Sequence, residues 1–170
     1  MADPALHLIA GPNGAGKSTL YEKVIGPATR LPFVNADAEQ RNASLEAAAS
    51  FVAETVFSHP SKLDLVSNAV DRGYLVTLHV VVVPEKLAVA RVSSRVAAGG
   101  HTVPEEKIRQ RYRRLWPLIA SAVSLVETAI VYDNSRAARP FRVVAHFERG
   151  RATTEPEWPR WTPAPLRGAL

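Results

Sequence analysis

Residues 11–19 read Gly11-Pro12-Asn13-Gly14-Ala15-Gly16-Lys17-Ser18-Thr19, directly after the apolar run Leu6-His7-Leu8-Ile9-Ala10. This is a complete match to G-x-x-x-x-G-K-[ST], and it demands a strand, a tight loop and a helix in that order. Glycines at 11, 14 and 16 let successive backbone N–H groups wrap a phosphate, and the following helix adds its positive N-terminal end. Lys17 then reaches the β- and γ-phosphates, Ser18 places its hydroxyl on Mg²⁺, and Thr19 neighbours the α-phosphate. Leu20-Tyr21-Glu22-Lys23-Val24 supplies the helix that a chance glycine-rich turn would lack. The expected ligands are ATP or GTP with Mg²⁺.

A chain of 170 residues with 46% hydrophobic content fills one core well and two poorly. Residues 1–150 are expected to form the nucleotide-binding domain. Residues 151–170, with prolines at 156, 159, 163 and 165 beside Trp158 and Trp161, are expected to be an irregular, partly docked extension and not a second domain. The formal charge of +5 raises nucleic acid as a partner, yet the basic residues gather between Arg91 and Arg114, which fits a local anion site better. With no cysteine, disulfides and thiolate metal sites are excluded. No apolar run reaches membrane-spanning length, and Met1-Ala2-Asp3-Pro4 has no signal-peptide character, so a soluble, cytoplasmic protein is expected.

Apolar runs at 5–10, 31–37, 51–55, 74–83, 129–133 and 141–147 read as strands, with helices between them. The first helix is expected to close at Gly26-Pro27, a second to cover 45–49, and a third to end at Gly73. The β-branched run at 74–83 suits a central parallel strand buried on both faces. Pro84 ends it, Gly99-Gly100-His101 breaks the helix that follows, and Pro104 with Glu105 and Glu106 starts the next. Alternating strands and helices behind a phosphate loop give a three-layer α/β domain with a mainly parallel sheet.

Several polar residues fall where such a sheet binds ligands, at the carboxyl ends of strands. Asp37 is placed to accept a hydroxyl proton or to help hold Mg²⁺, or else to cap the next helix. Glu54 and Thr55 end the next strand, where they either orient a substrate hydroxyl or form a plain polar strand end. Arg91 and Arg95 share one helical face, and Arg109 and Arg113 share another. Two arginine-bearing helices joined by a glycine turn suit a lid over a triphosphate, with a solvated basic hairpin as the alternative. Asn134, in the turn Asp133-Asn134-Ser135, is placed to meet the adenine base or to be an ordinary loop residue.

The set Ala10 to Thr19, Phe33-Val34-Asn35-Ala36-Asp37, Glu54-Thr55-Val56-Phe57-Ser58 and Arg95 to Glu105 resembles the zeta-toxin family of P-loop kinases, in the family's order. The resemblance extends through Tyr132-Asp133-Asn134-Ser135 and covers roughly residues 5–150. It implies a small-molecule kinase, whose best-known members phosphorylate a hydroxyl of UDP-N-acetylglucosamine, and an antitoxin protein as a partner. It also implies Asp37 as general base, Glu54 and Thr55 as substrate-side residues, and Arg95 with Arg109 as the charge-stabilising pair. One departure stands out: only Ala38 to Ser50 separate Asp37 from Phe51, where the family usually carries a longer helical segment.

Two functions follow. In the first, the chain transfers the γ-phosphate of ATP or GTP to a small-molecule alcohol. In the second, it is a nucleotide-dependent binding module whose basic helices contact nucleic acid.

Overall fold

The computed structural model describes residues 3–34, 38–100 and 102–168. Six strands form one sheet in the order β2-β1-β3-β4-β5-β6. They are β1 (Ala5–Ala10), β2 (Phe51–Thr55), β3 (Leu75–Val82), β4 (Thr128–Asp133), β5 (Arg142–Glu148) and β6 (Arg151–Ala152). The first four run parallel, and β5 and β6 are antiparallel additions at one edge. The chain leaves β1 for β2 on one side and returns to β3 on the other. The carboxyl end of β1 is therefore the switch point of the sheet, where a crevice opens for ligand.

Burial follows the apolar pattern. Leu6, Leu8, Ile9 and Ala10 of β1, and Leu78 and Val80 to Val82 of β3, are fully buried. Truncating a side chain such as Leu78 to alanine costs about 2–5 kcal/mol. Helix α6 (Glu105–Leu125) turns Ile108, Tyr112, Leu115, Trp116, Ile119, Ala122 and Val123 inward, a stripe of helical period that lays it on the sheet. The remaining helices are α1 (Lys17–Leu20), α2 (Gly26–Thr29), α3 (Ala38–Glu46), α4 (Ser61–Asp71), α5 (Glu85–Ala97) and α7 (Ala164–Arg167).

Four local expectations give way to the structure. The first helix does not stop at Gly26-Pro27: a π turn over Tyr21–Ile25 widens the ladder, and helix continues to Thr29. That turn accommodates a proline that cannot donate a hydrogen bond. Of the strand expected at 31–37, residues 31–34 form a single bridge between Phe33 and Val52, because Pro32 can accept from Val52 N–H (2.9 Å) but cannot join the ladder as a donor, and residues 35–37 lie outside the described residues. The helix expected at 45–49 instead occupies Ala38–Glu46. In the C-terminal extension, Ala164–Arg167 is helical, and Leu166 is fully buried.

Candidate active site

The loop between β1 and α1 sits at the switch point. Gly14 (φ 78°) and Gly16 (φ 96°) lie in the left-handed region. A Cβ on Gly16 would stand 2.6 Å from Asn134 Nδ2, and one on Gly14 would stand 2.7 Å from the Ala88 carbonyl oxygen. Only glycine meets both the backbone and the packing requirement at these positions.

Lys17 points back into the loop and donates to the carbonyls of Gly11 (3.0 Å) and Pro12 (3.2 Å). Burial pushes its ammonium down to about 8; the Glu54 carboxylate acts against this and Arg95 adds to it. Ser18 Oγ donates to Glu54 Oε2 at 3.1 Å. Glu54, read from sequence as substrate-side, is thus positioned on the hydroxyl expected to meet Mg²⁺. Thr55 instead braces the following turn, where its Oγ1 accepts from Phe57 N–H (3.1 Å) and Phe57 adopts φ 63°. A cavity of about 310 Å³ opens over the loop, and Lys17, Ser18, Glu54, Thr55 and Arg95 all line it.

The other expected residues are distributed unequally. Arg91 and Asn134 bind the loop's backbone: Arg91 donates to the carbonyls of Gly14 (3.2 Å) and Asn134 (2.9 Å), and Asn134 Nδ2 donates to the Ala15 carbonyl (2.8 Å). They fix the loop's shape from outside. Arg109 is held by Glu85 (3.0 Å) and Glu105 (2.7 Å), and Arg113 lies 3.6 Å from Glu85. Neither lines the cavity over the loop. Glu85 as their shared counterion was not visible in the sequence, because the contact joins α5 to α6 across 24 residues. Asp37 and His101 lie outside the described residues.

Among the described residues no group of three or more His, Cys, Asp or Glu side chains could by itself hold a metal ion. The Ser18 hydroxyl and the Glu54 carboxylate nevertheless suit Mg²⁺, which takes few protein oxygens and keeps water and substrate phosphate for the rest.

A model of the family described as Zeta toxin matches residues 33–142, more than half of the chain. The phosphate loop precedes that span and stands on its own motif. No curated protein matches the chain. Among solved structures, a chain of the PezAT chromosomal toxin–antitoxin system of Streptococcus pneumoniae aligns with a TM-score of 0.63 at 12% identity, over 85% of this chain and 72% of that one. The AvrRxo1-ORF1:-ORF2 structure with ATP gives 0.66 at 15% identity, over 91% and 61%. A proposed kinase from Chloroflexus aurantiacus gives 0.60 at 18% identity, over 81% and 92%. At these identities the likeness is one of fold.

Proposed function

Because the chain belongs to the zeta-toxin family of P-loop kinases, we propose that it transfers the γ-phosphoryl group of ATP or GTP to a small-molecule hydroxyl, with UDP-N-acetylglucosamine the first acceptor to test. The observation that carries this reading is the convergence of Lys17, Ser18, Glu54 and Arg95 on one cavity above a phosphate loop.

Each residue has a role that follows from its chemistry. Lys17, released from the Gly11 and Pro12 carbonyls, donates to β- and γ-phosphate oxygens. Glu54 takes the Ser18 hydroxyl proton in a hydrogen bond, which turns the oxygen lone pairs toward the cavity. Mg²⁺, held by Ser18 and phosphate oxygens, would neutralise charge on the transferring group. Arg95 spreads that charge further, and Arg109 joins it once Glu85 and Glu105 release the guanidinium. Asp37 accepts the acceptor's hydroxyl proton as the oxygen attacks phosphorus. Thr55 and Val56 form the acceptor-side wall.

Residues 1–150 act as the kinase unit in this reading, in the cytoplasm where nucleotide and nucleotide-sugar pools lie, and an antitoxin protein restrains it. No described helix is long and apolar enough to cross a membrane. The nucleic-acid reading rests on Arg109 and Arg113, and the hold of Glu85 and Glu105 on Arg109 counts against it. The test is incubation with Mg²⁺, ATP or GTP, and an acceptor panel headed by UDP-N-acetylglucosamine, with products read by mass. An acceptor carrying one added phosphoryl group supports the reading. Nucleotide binding with no transfer to any hydroxyl would overturn it.

A further inference from the structure

A second cavity, of about 410 Å³, lies between the β4–β5 loop and the C-terminal extension. It shares no lining residue with the cavity over the phosphate loop. Chain alternation separates the two: Asn134 faces the phosphate loop through Ala15, while its neighbours Asp133 and Ser135 line the second cavity.

Charge sets this cavity apart. Arg136 and Arg139 from the loop, Arg142 from β5 and Arg160 from the extension all line it. Arg142 is neutralised by Glu157 (2.9 Å) and Asp133 (3.8 Å). Arg136, Arg139 and Arg160 form no ion pair with any described residue. Three guanidiniums with no carboxylate partner around one concavity offer charge-assisted hydrogen bonds to a ligand with two or more negative charges. Trp161 offers an apolar wall, and Ser135 a hydroxyl. The volume falls in the range of small-molecule sites and exceeds what a single inorganic ion needs.

We propose that this cavity is a second binding site, distinct from the phosphate loop, for a phosphorylated small molecule. Its occupant reaches the first site through one residue, because Asn134 stands between Asp133 and Ser135 and hydrogen-bonds the loop at Ala15. The site does not depend on the kinase reading, since none of its residues take part in phosphoryl transfer.

The test uses Lys17→Ala protein, in which the phosphate loop is disabled, titrated calorimetrically with inorganic pyrophosphate and with glucose 6-phosphate. One equivalent of either is expected to bind, with affinity falling as salt rises. Adding Arg136→Gln, Arg139→Gln and Arg160→Gln should weaken binding about 100-fold or more. These arginines are exposed, so thermal melting should be unchanged. In the folded Lys17→Ala protein, amide NMR shifts should appear at Ser135 and Trp161. No binding at millimolar ligand, unchanged affinity in the triple variant, or shifts confined to residues 11–19 would each overturn the proposal. So would binding of an RNA oligomer with no response to either small phosphate.

Discussion

Ser18 Oγ lies 3.1 Å from Glu54 Oε2, joining the first residues after the phosphate loop to the end of the neighbouring parallel strand. The register places them there: Ala10, the last residue of β1, pairs with Thr55 and Ile9 with Glu54, so Glu54 lies within two residues of the start of the loop. Glu54→Gln keeps the shape and removes the charge. Its expected effect is a loss of about 10–100-fold in kcat/KM with a higher Mg²⁺ requirement, the scale of residues that orient a metal ligand. Steady-state rates across a Mg²⁺ titration check this.

Burial pushes the Lys17 ammonium down to about 8 in the free protein. Phosphate binds the charged form, so above that pH the nucleotide must bring a proton in with it. Nucleotide affinity should be flat below pH 8 and fall by up to about tenfold per pH unit above it. Calorimetry at pH 9 in buffers of differing ionisation enthalpy should show proton uptake. Affinity that stays constant from pH 7 to 9.5 would contradict this assignment.

Arg95 and Arg109 are expected to separate kinetically. Arg95 lines the phosphate cavity, whereas Arg109 is tied to Glu85 and Glu105. Arg95→Ala should weaken nucleotide binding and lower kcat by about 10³-fold, the scale of an arginine that stabilises a transferring phosphoryl group. Arg109→Ala should lower kcat while leaving nucleotide affinity intact. If its kcat is also unchanged, Arg109 serves only to tie α5 to α6.

A polar chain crosses the sheet from His7 to His79 (3.0 Å) and on to Tyr132 (3.0 Å). Burial, with His7 beside it, pushes the His79 imidazole down from 6.5 to about 3. Between those values the unfolded chain binds a proton that the folded protein refuses. Stability should therefore fall as pH drops below 6.5, by up to about 1.4 kcal/mol per unit from this one group. Denaturant melts at pH 5 and 6.5 should show that slope reduced in His79→Gln. Equal slopes would contradict the assignment.

How far the sequence reveals this protein varies with the range of the interactions involved. The phosphate loop was legible because its constraints are local: glycine at 16 answers both a left-handed backbone and the approach of Asn134. The parallel core strands were legible from β-branched runs such as Val80 to Val83. Pro32 and Pro27 misled in opposite directions, one limiting residues 31–34 to a single bridge and the other carried through a helix by a π turn. Glu85 against Arg109, and Arg91 against the loop carbonyls, were hidden because packing decides which of several surface charges meet. The arginine cavity was hidden for the same reason, since Arg160 joins Arg136 and Arg139 only after the extension folds back.

The most direct measurement is the mass of UDP-N-acetylglucosamine after incubation with Mg²⁺ and ATP, for the unaltered protein and for Lys17→Ala and Asp37→Ala. One added phosphoryl group with the unaltered protein, absent in both variants, is the expected result. The same product from Lys17→Ala, or ATP turnover that yields only inorganic phosphate whatever hydroxyl compound is supplied, would contradict phosphoryl transfer at this site.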